Sequence, residues 1–354
     1  MTATTIEQSE KKSPPKYDPR NKLNDLSNVE WLISTKSVWR SEGLDPEVEG
    51  ALRELSEKIS AKYGVESSAE LLEQSISSVI YSKPPPRDSL KEKHPATFPE
   101  GDIEELIKFF TKEGDTVLDP FVGVGSTLIA SMNTWRSAVG IELIGKWVDL
   151  ARKRIEHAKS RSPAYQHGME QFTSARELRR PPDTRVLQGD SRSMLREMTS
   201  QSFDFIVTSP PYWAILRKDK DHKARHERIE KGLPTKYSEE EADLGNVSDY
   251  REFLGELSKI FVECHRVLKD GKYMCVIVTD FRHKSKFITY HSDLASHLEK
   301  VGFTLEGITI LVQDSKTLYP YGMPYAFVSN IHHQYILVFR KNGTQKSDTE
   351  GLKM

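Results

Sequence analysis

Phe203-Asp204-Phe205-Ile206-Val207 runs directly into Thr208-Ser209-Pro210-Pro211-Tyr212-Trp213, and this stretch constrains the fold more than any other. The apolar run reads as a buried strand. It has to stop at the proline pair, because proline donates no backbone hydrogen bond and restricts the residue before it. A serine, two prolines and two aromatics are therefore expected at the carboxyl end of a strand, which is where ligands bind in open α/β sheets. A hydroxyl and carbonyls outside a ladder can accept from an amino group, and an aromatic beside them can hold a planar ring. That combination suits the exocyclic amine of a base swung out of its stack. Taken alone, the hexapeptide also fits a proline-rich strand exit whose aromatics only pack.

A second stretch has the same logic. Thr116-Val117-Leu118 reads as a strand, Asp119-Pro120-Phe121-Val122-Gly123-Val124-Gly125-Ser126-Thr127 as a turn, and Leu128 to Asn133 as a helix. Strand, glycine turn and helix make a nucleotide-type site, in which Gly123 and Gly125 let the backbone approach a ligand. The turn matches neither a nicotinamide-dinucleotide fingerprint nor a phosphate loop. The next strands end in acids, Glu142 and Asp190, with Ser191 as a candidate cap for the helix that follows. Glu142 is placed to accept from ribose hydroxyls and Asp190 from an adenine amino group, while Asp119 could favour a cationic group. Strand-end solvation or helix capping is the plainer alternative for these acids. Helices over 248–268, capped by Ser248, and over 291–301 alternate with strands over 273–279, 303–312 and 334–339. The pattern predicts an α/β fold: a doubly wound, mostly parallel seven-stranded sheet with a late antiparallel hairpin.

The 354 residues leave room for more than this sheet. Residues 1–23 read as a disordered arm, 24–83 as a small helical subdomain, 84–341 as the main domain and 342–354 as a disordered tail. Fifty-one Lys and Arg against 52 Asp and Glu nearly cancel, so a polyanion has to be met by local basic patches. No stretch approaches the ~20 apolar residues of a membrane span. The amino terminus lacks an apolar signal core, and two cysteines exclude a disulfide framework, so a cytoplasmic setting is expected. His332-His333 and the His222/His226 pair are isolated, and no metal site is expected.

His94-Pro95 with Phe98-Pro99, the Asp119–Thr127 turn, and Thr208-Ser209-Pro210-Pro211-Tyr212 together resemble the amino-directed DNA methyltransferases that use S-adenosylmethionine. The resemblance covers about residues 90–340 and implies a class I methyltransferase-like fold. It implies that Phe121, Gly123 and Gly125 hold the methionine part of the cofactor, within a turn completed by Asp119, Pro120, Ser126 and Thr127. Glu142 would hold the ribose and Asp190 the adenine, while His94, Pro95, Thr97 and Phe98 line the same site. Ser209, Pro210, Pro211 and Tyr212 are the implied catalytic residues. Ser209 Oγ and the Pro210 carbonyl would accept from the target amine, and Tyr212 would stack on the flipped ring. Serine at the first position of this motif implies N4 of cytosine in double-stranded DNA; adenine N6, an RNA base, or a cofactor-binding scaffold without catalysis are the competing readings. A cognate restriction endonuclease is an implied partner. Neither Cys264 nor Cys275 follows a proline, which disfavours the carbon-5 cytosine route. Trp213, Arg217, Lys218, Lys220, Arg282, Lys284 and Lys286 are expected to contact DNA, with target recognition falling to the candidate insertion 214–247, the loop 159–183 or the amino-terminal helices.

Overall fold

The structure, a computed structural model, describes residues 21–26, 38–40, 54, 57–58, 80–81, 99–161, 182–213, 240, 242–313 and 327–343. Two short strands come first, β1 (Val38–Arg40) and β2 (Ile80–Tyr81). Strand and helix then alternate: α1 (Glu100–Phe110), β3 (Thr116–Asp119), α2 (Ser126–Asn133), β4 (Ser137–Glu142), α3 (Gly145–Arg161), β5 (Thr184–Gln188), the single turn α4 (Ser191–Met194) and β6 (Phe203–Thr208). After the Pro-Pro segment come α5 (Tyr250–Val267), β7 (Leu268–Val278), a small ribbon of β8 (Phe281–His283) and β9 (Lys286–Ile288), α6 (Tyr290–Val301), β10 (Phe303–Val312) and β11 (His333–Lys341).

The strands pair in the order β2-β1-β10-β11-β7-β6-β3-β4-β5. Strands β5, β4, β3, β6 and β7 are mutually parallel, and β11 runs antiparallel to both β7 and β10. This is the expected seven-stranded sheet with its antiparallel pair. Two strands lie outside that expectation: β1 pairs with β10, and β2 with β1, both parallel. They come from the 24–83 region that the helical periodicity assigns to a helical subdomain. Segments of two or three residues are too short for a period to register, and an open sheet edge can recruit them. Of that region's helices, Glu54, Glu57 and Lys58 are helical, and the rest lies outside the described residues, as do the tail from 344 and most of the arm. Leu23, assigned to the arm, packs with Leu26 on the core. Buried Asn24 donates to the Phe109 carbonyl just beneath them.

A central parallel strand is covered on both faces, so it must be apolar on both. In β7, Met274, Val276 and Val278 enter one core with α5 and α6, while Cys275 and Ile277 enter the other with α1, α2 and α3. Two helix caps differ from expectation. Asp249, not Ser248, caps α5 and accepts from the Arg251 and Glu252 amides. Asp190, not Ser191, caps α4 and accepts from the Arg192 amide. In each helix a carboxylate meets the positive end better than a hydroxyl does. Among the described residues, no helix is long and apolar enough to cross a membrane.

Candidate functional site

The chain winds outward from β3 through β4 to β5, then returns to β6 on the other side of β3. That reversal leaves a crevice at the carboxyl ends of β3 and β6, the place where doubly wound sheets bind ligands. The glycine turn leaves β3 and the Ser-Pro-Pro-Tyr segment leaves β6, so topology alone brings them together. A cleft of about 1130 Å³, counted to its open mouth, lies there. Asp119, Pro120, Phe121, Gly123, Ser126 and Thr127 line it, as do Glu142 and Asp190 from the next strand ends. Ser209, Pro210, Pro211 and Tyr212 line the same cleft.

The turn is held by its own chemistry. Gly123 and Gly125 have φ of 52° and 85°, left-handed values that a side chain resists. Gly125 caps α2, and a Cβ there would lie 3.2 Å from Ala151 Cβ, so this glycine sets the approach of α2 to α3 rather than lining the cleft. Asp119 is 4% exposed and accepts from Thr127 Oγ1 (2.6 Å), Thr208 Oγ1 (2.6 Å) and the Phe121 amide (3.0 Å). It therefore ties the end of β3 to both the glycine turn and the end of β6. Burial pushes its pKa up to about 6 against those hydrogen bonds.

Glu142 accepts from the Gly123 amide (3.1 Å) and the Ile144 amide (2.8 Å), and burial pushes its pKa up to about 7. A carboxyl that is harder to ionise folded than unfolded favours the fold when neutral. That contribution is complete below the ordinary value of 4.5 and is lost as pH rises through 7, a change of about 3 kcal/mol. Glu142→Gln is expected to flatten this dependence. Thermal unfolding at pH 5 and pH 8 should show a smaller loss of Tm in the variant than in the wild type.

Asp190 behaves differently. Burial raises its pKa, but bonds from the Arg192 side chain and amide outweigh that and hold it below the ordinary value. Arg192 also reaches Glu256 (2.7 Å) and the Ala242 carbonyl (3.2 Å), and so fastens residues 242–244 beside the cleft. Tyr212 is buried, which raises its hydroxyl pKa; the hydroxyl bonds to the Ser209 side chain and receives a bond from Gln334 Nε2 (3.4 Å). Gln313 in turn donates to Gln334 Oε1 (3.0 Å).

Trp213 does not face outward as a DNA contact would. It is 7% exposed, donates from its indole to the Val247 carbonyl (3.0 Å), and packs among Tyr250, Phe281 and His283. Arg282, Lys284 and Lys286 lie together on the β8–β9 ribbon, outside the cleft. His94, Pro95, Thr97, Phe98, Arg217, Lys218 and Lys220 lie outside the described residues, as do 214–239 of the expected insertion.

Sequence reasoning misses three supports. Gly140 in β4 leaves room for Val122, since a Cβ there would lie 2.6–2.8 Å from that side chain. Ile144, Trp147 and Leu244 give the cleft an apolar wall. Arg154 and Glu100 form a buried ion pair (2.6 Å) under the turn, with Arg154 also donating to the Val124 carbonyl. The signal for Arg154 is present in the sequence: it sits seven residues after Trp147, on the apolar stripe of α3. Among the described residues, no group of three or more His, Cys, Asp or Glu is placed to hold a metal ion.

A family model described as DNA methylase, of the N6/N4 type, matches residues 4–153 and 203–354. A Type II methyltransferase of Streptococcus pneumoniae, M2.DpnII, is 44% identical over 64 residues, 18% of this chain and 24% of that protein. M.BglI of Bacillus subtilis is 43% identical over 63 residues, 18% of each chain. The chain thus spans a quarter or less of the length of these curated relatives. A DNA modification methylase of Thermus thermophilus, solved in complex with S-adenosyl-L-methionine, is 26% identical, with 46% of this chain and 55% of that one covered at a TM-score of 0.31.

Proposed function

Given that the chain belongs to the DNA methylase family of the N6/N4 type, we propose that it methylates an exocyclic amino group of a base in double-stranded DNA, with S-adenosylmethionine as donor and N4 of cytosine as target. The observation that carries this reading is the shared cleft that holds the glycine turn and Ser209-Pro210-Pro211-Tyr212 together at the switch point of the sheet. When bound, S-adenosylmethionine supplies a methyl group activated by its sulfonium.

The residues present suit that cofactor. The Glu142 carboxylate at the end of β4 is an acceptor for a ribose diol, and Asp190 for an adenine amine. Trp147, Ile144 and Leu244 offer apolar surface to a purine ring. The left-handed turn at Gly123, which lines the cleft without a side chain, lets a ligand lie close to the backbone.

An exocyclic amine conjugated with its ring is a poor nucleophile, because its lone pair is delocalised. Ser209 Oγ and the Pro210 carbonyl accept its two hydrogens and hold the nitrogen toward tetrahedral geometry, which localises the lone pair. No covalent intermediate is needed, and the proton shed by the amine leaves through the open mouth to water. Tyr212 forms the wall against which the base plane rests. Much of the catalysis is then positioning. Tyr290 meets that wall edge-on, and Trp213 anchors the segment through its bond to the Val247 carbonyl. A partner nuclease belongs to the same reading, since the curated relatives include Type II methyltransferases.

The test is nucleoside mass spectrometry after incubating the protein with labelled S-adenosylmethionine and, separately, unmethylated duplex DNA and total RNA. Label in N4-methylcytosine from DNA is the expected result. Label in N6-methyladenine would overturn the base assignment, and label confined to RNA would overturn the substrate.

A further inference from the structure

The β8–β9 ribbon is a two-residue hairpin. Its turn, Lys284–Ser285, has positive φ at both positions (46° and 65°), the geometry that matches the twist of paired strands. Cross-strand pairing gives the ribbon two unlike faces. Phe281 (2% exposed) and Ile288 sit opposite each other and pack on the core, and His283 lies against Trp213 with ring centroids 4.6 Å apart. On the other face Arg282 is paired with Phe287, its guanidinium 5.1 Å from the ring centre. Phe287 is 38% exposed, and Lys284 and Lys286 stand exposed at the tip.

Arg282 on this face and the exposed Lys284 and Lys286 at the tip are the cations of the ribbon, Lys286 standing across from His283. Arg282, Lys284 and Lys286 make no ion pair among the described residues, whereas Lys269, Lys272, Arg154 and Arg192 elsewhere are paired with carboxylates. Arg282 carries a further mark. Its Nε is shut off from solvent and has no hydrogen-bond partner, and its Nη2 reaches Ser329 Oγ only at 3.4 Å. A donor buried in that way costs free energy that an incoming acceptor would recover with a small movement of the side chain. The ribbon leaves β7 three residues after Val278, on the same sheet edge as Ser209, and its inner face is packed on Trp213, the neighbour of Tyr212.

We propose that the exposed end of the β8–β9 hairpin, Arg282 with Lys284 and Lys286 at the tip, is a phosphate-backbone clamp for duplex DNA, holding the strand beside the base presented to Ser209. The proposal rests on the DNA substrate assigned above. Phosphates are the acceptors that three clustered cations fit, one of them a guanidinium with an unsatisfied Nε, and contacts of this kind set position without reading sequence. The packing of the ribbon on Trp213 transmits that position to the catalytic segment.

The experiment is fluorescence anisotropy of a labelled duplex of mixed sequence, titrated with the full chain at a series of salt concentrations. Lys284→Gln/Lys286→Gln alters only exposed side chains. It should reduce the slope of log affinity against log salt by about 0.9 per cation removed. Arg282→Gln should weaken binding as well, by an amount that does not depend on the duplex sequence. Cofactor affinity, read separately by calorimetry, should stay within about twofold. An unchanged salt slope in the double variant overturns the clamp. The catalytic reading fails separately: a wild-type chain that binds duplex with the expected slope yet leaves no methylated nucleoside would retain the clamp and refute the methyltransferase.

Discussion

Ser209→Ala is expected to lower turnover about 10²- to 10³-fold while cofactor affinity changes less than about twofold, the scale seen when one preorganised hydrogen-bonding group is removed from an active site. The split follows from position. Ser209 lies past the end of β6, beside the Tyr212 hydroxyl, and the groups assigned to the ribose and adenine lie across the cleft at the ends of β4 and β5. Removing Oγ takes one of two acceptors from the amine and leaves Glu142 and Asp190 in place. Single-turnover kinetics with a mapped target duplex, alongside calorimetric titration of S-adenosylmethionine, separates the two quantities. Full activity in the variant would remove Ser209 from the mechanism.

Tyr212 makes the companion case, but alanine is the wrong probe there. The ring is buried, meets Tyr290 edge-on with centroids 6.1 Å apart, and its hydroxyl receives Gln334. Deleting it would leave a cavity and an unpaired amide, and would confuse stability with chemistry. Tyr212→Phe keeps the wall and makes no cavity, losing only the hydroxyl, its bond with Ser209 and the long bond it receives from Gln334. If the ring's role is to support the base plane, this variant retains far more activity than Ser209→Ala.

What is legible in the sequence follows from the period of each feature. Strands β3, β4, β6, β7, β10 and β11 are apolar runs bounded by glycine, proline or acids, and the long helices carry apolar stripes, so local pattern locates them. The cleft is legible because two strand-end motifs of distinctive composition must meet wherever the sheet reverses direction. Supports acting across the fold are not legible in this way. Arg192 joins Asp190 to Glu256 and Ala242, residues 64 and 50 positions away, and Gln334 reaches Tyr212 across 122. Nothing in the local spacing of either residue announces its partner. Trp213 is misplaced by sequence reasoning for a related reason. An aromatic after Tyr212 fits either a base-stacking surface or a core, and its burial depends on α5 and the β8–β9 ribbon, which follow it in the chain.

Arg154→Leu is expected to destabilise the protein by about 3–5 kcal/mol, the cost of leaving a buried charge without its partner. Arg154 and Glu100 have side chains 2% and 9% exposed, and their 2.6 Å contact joins α3 to the start of α1. Ser126 Oγ donates to the same Glu100 oxygen (3.0 Å), and Arg154 donates to the Val124 carbonyl, so the pair grips the glycine turn from below. The leucine removes the cation and the grip together, and lowers Tm by on the order of 10 °C for a domain of this size. Glu100→Leu should cost a similar amount. The double variant Glu100→Leu/Arg154→Leu should recover much of the stability, because neither charge is then left buried alone. It should not recover cofactor affinity, since the Val124 carbonyl is still unheld and the turn can relax. Thermal unfolding and calorimetric titration across the four proteins of the cycle measure both effects. A double variant as unstable as the sum of the singles would mean that the two side chains act independently, through packing and not through their charges.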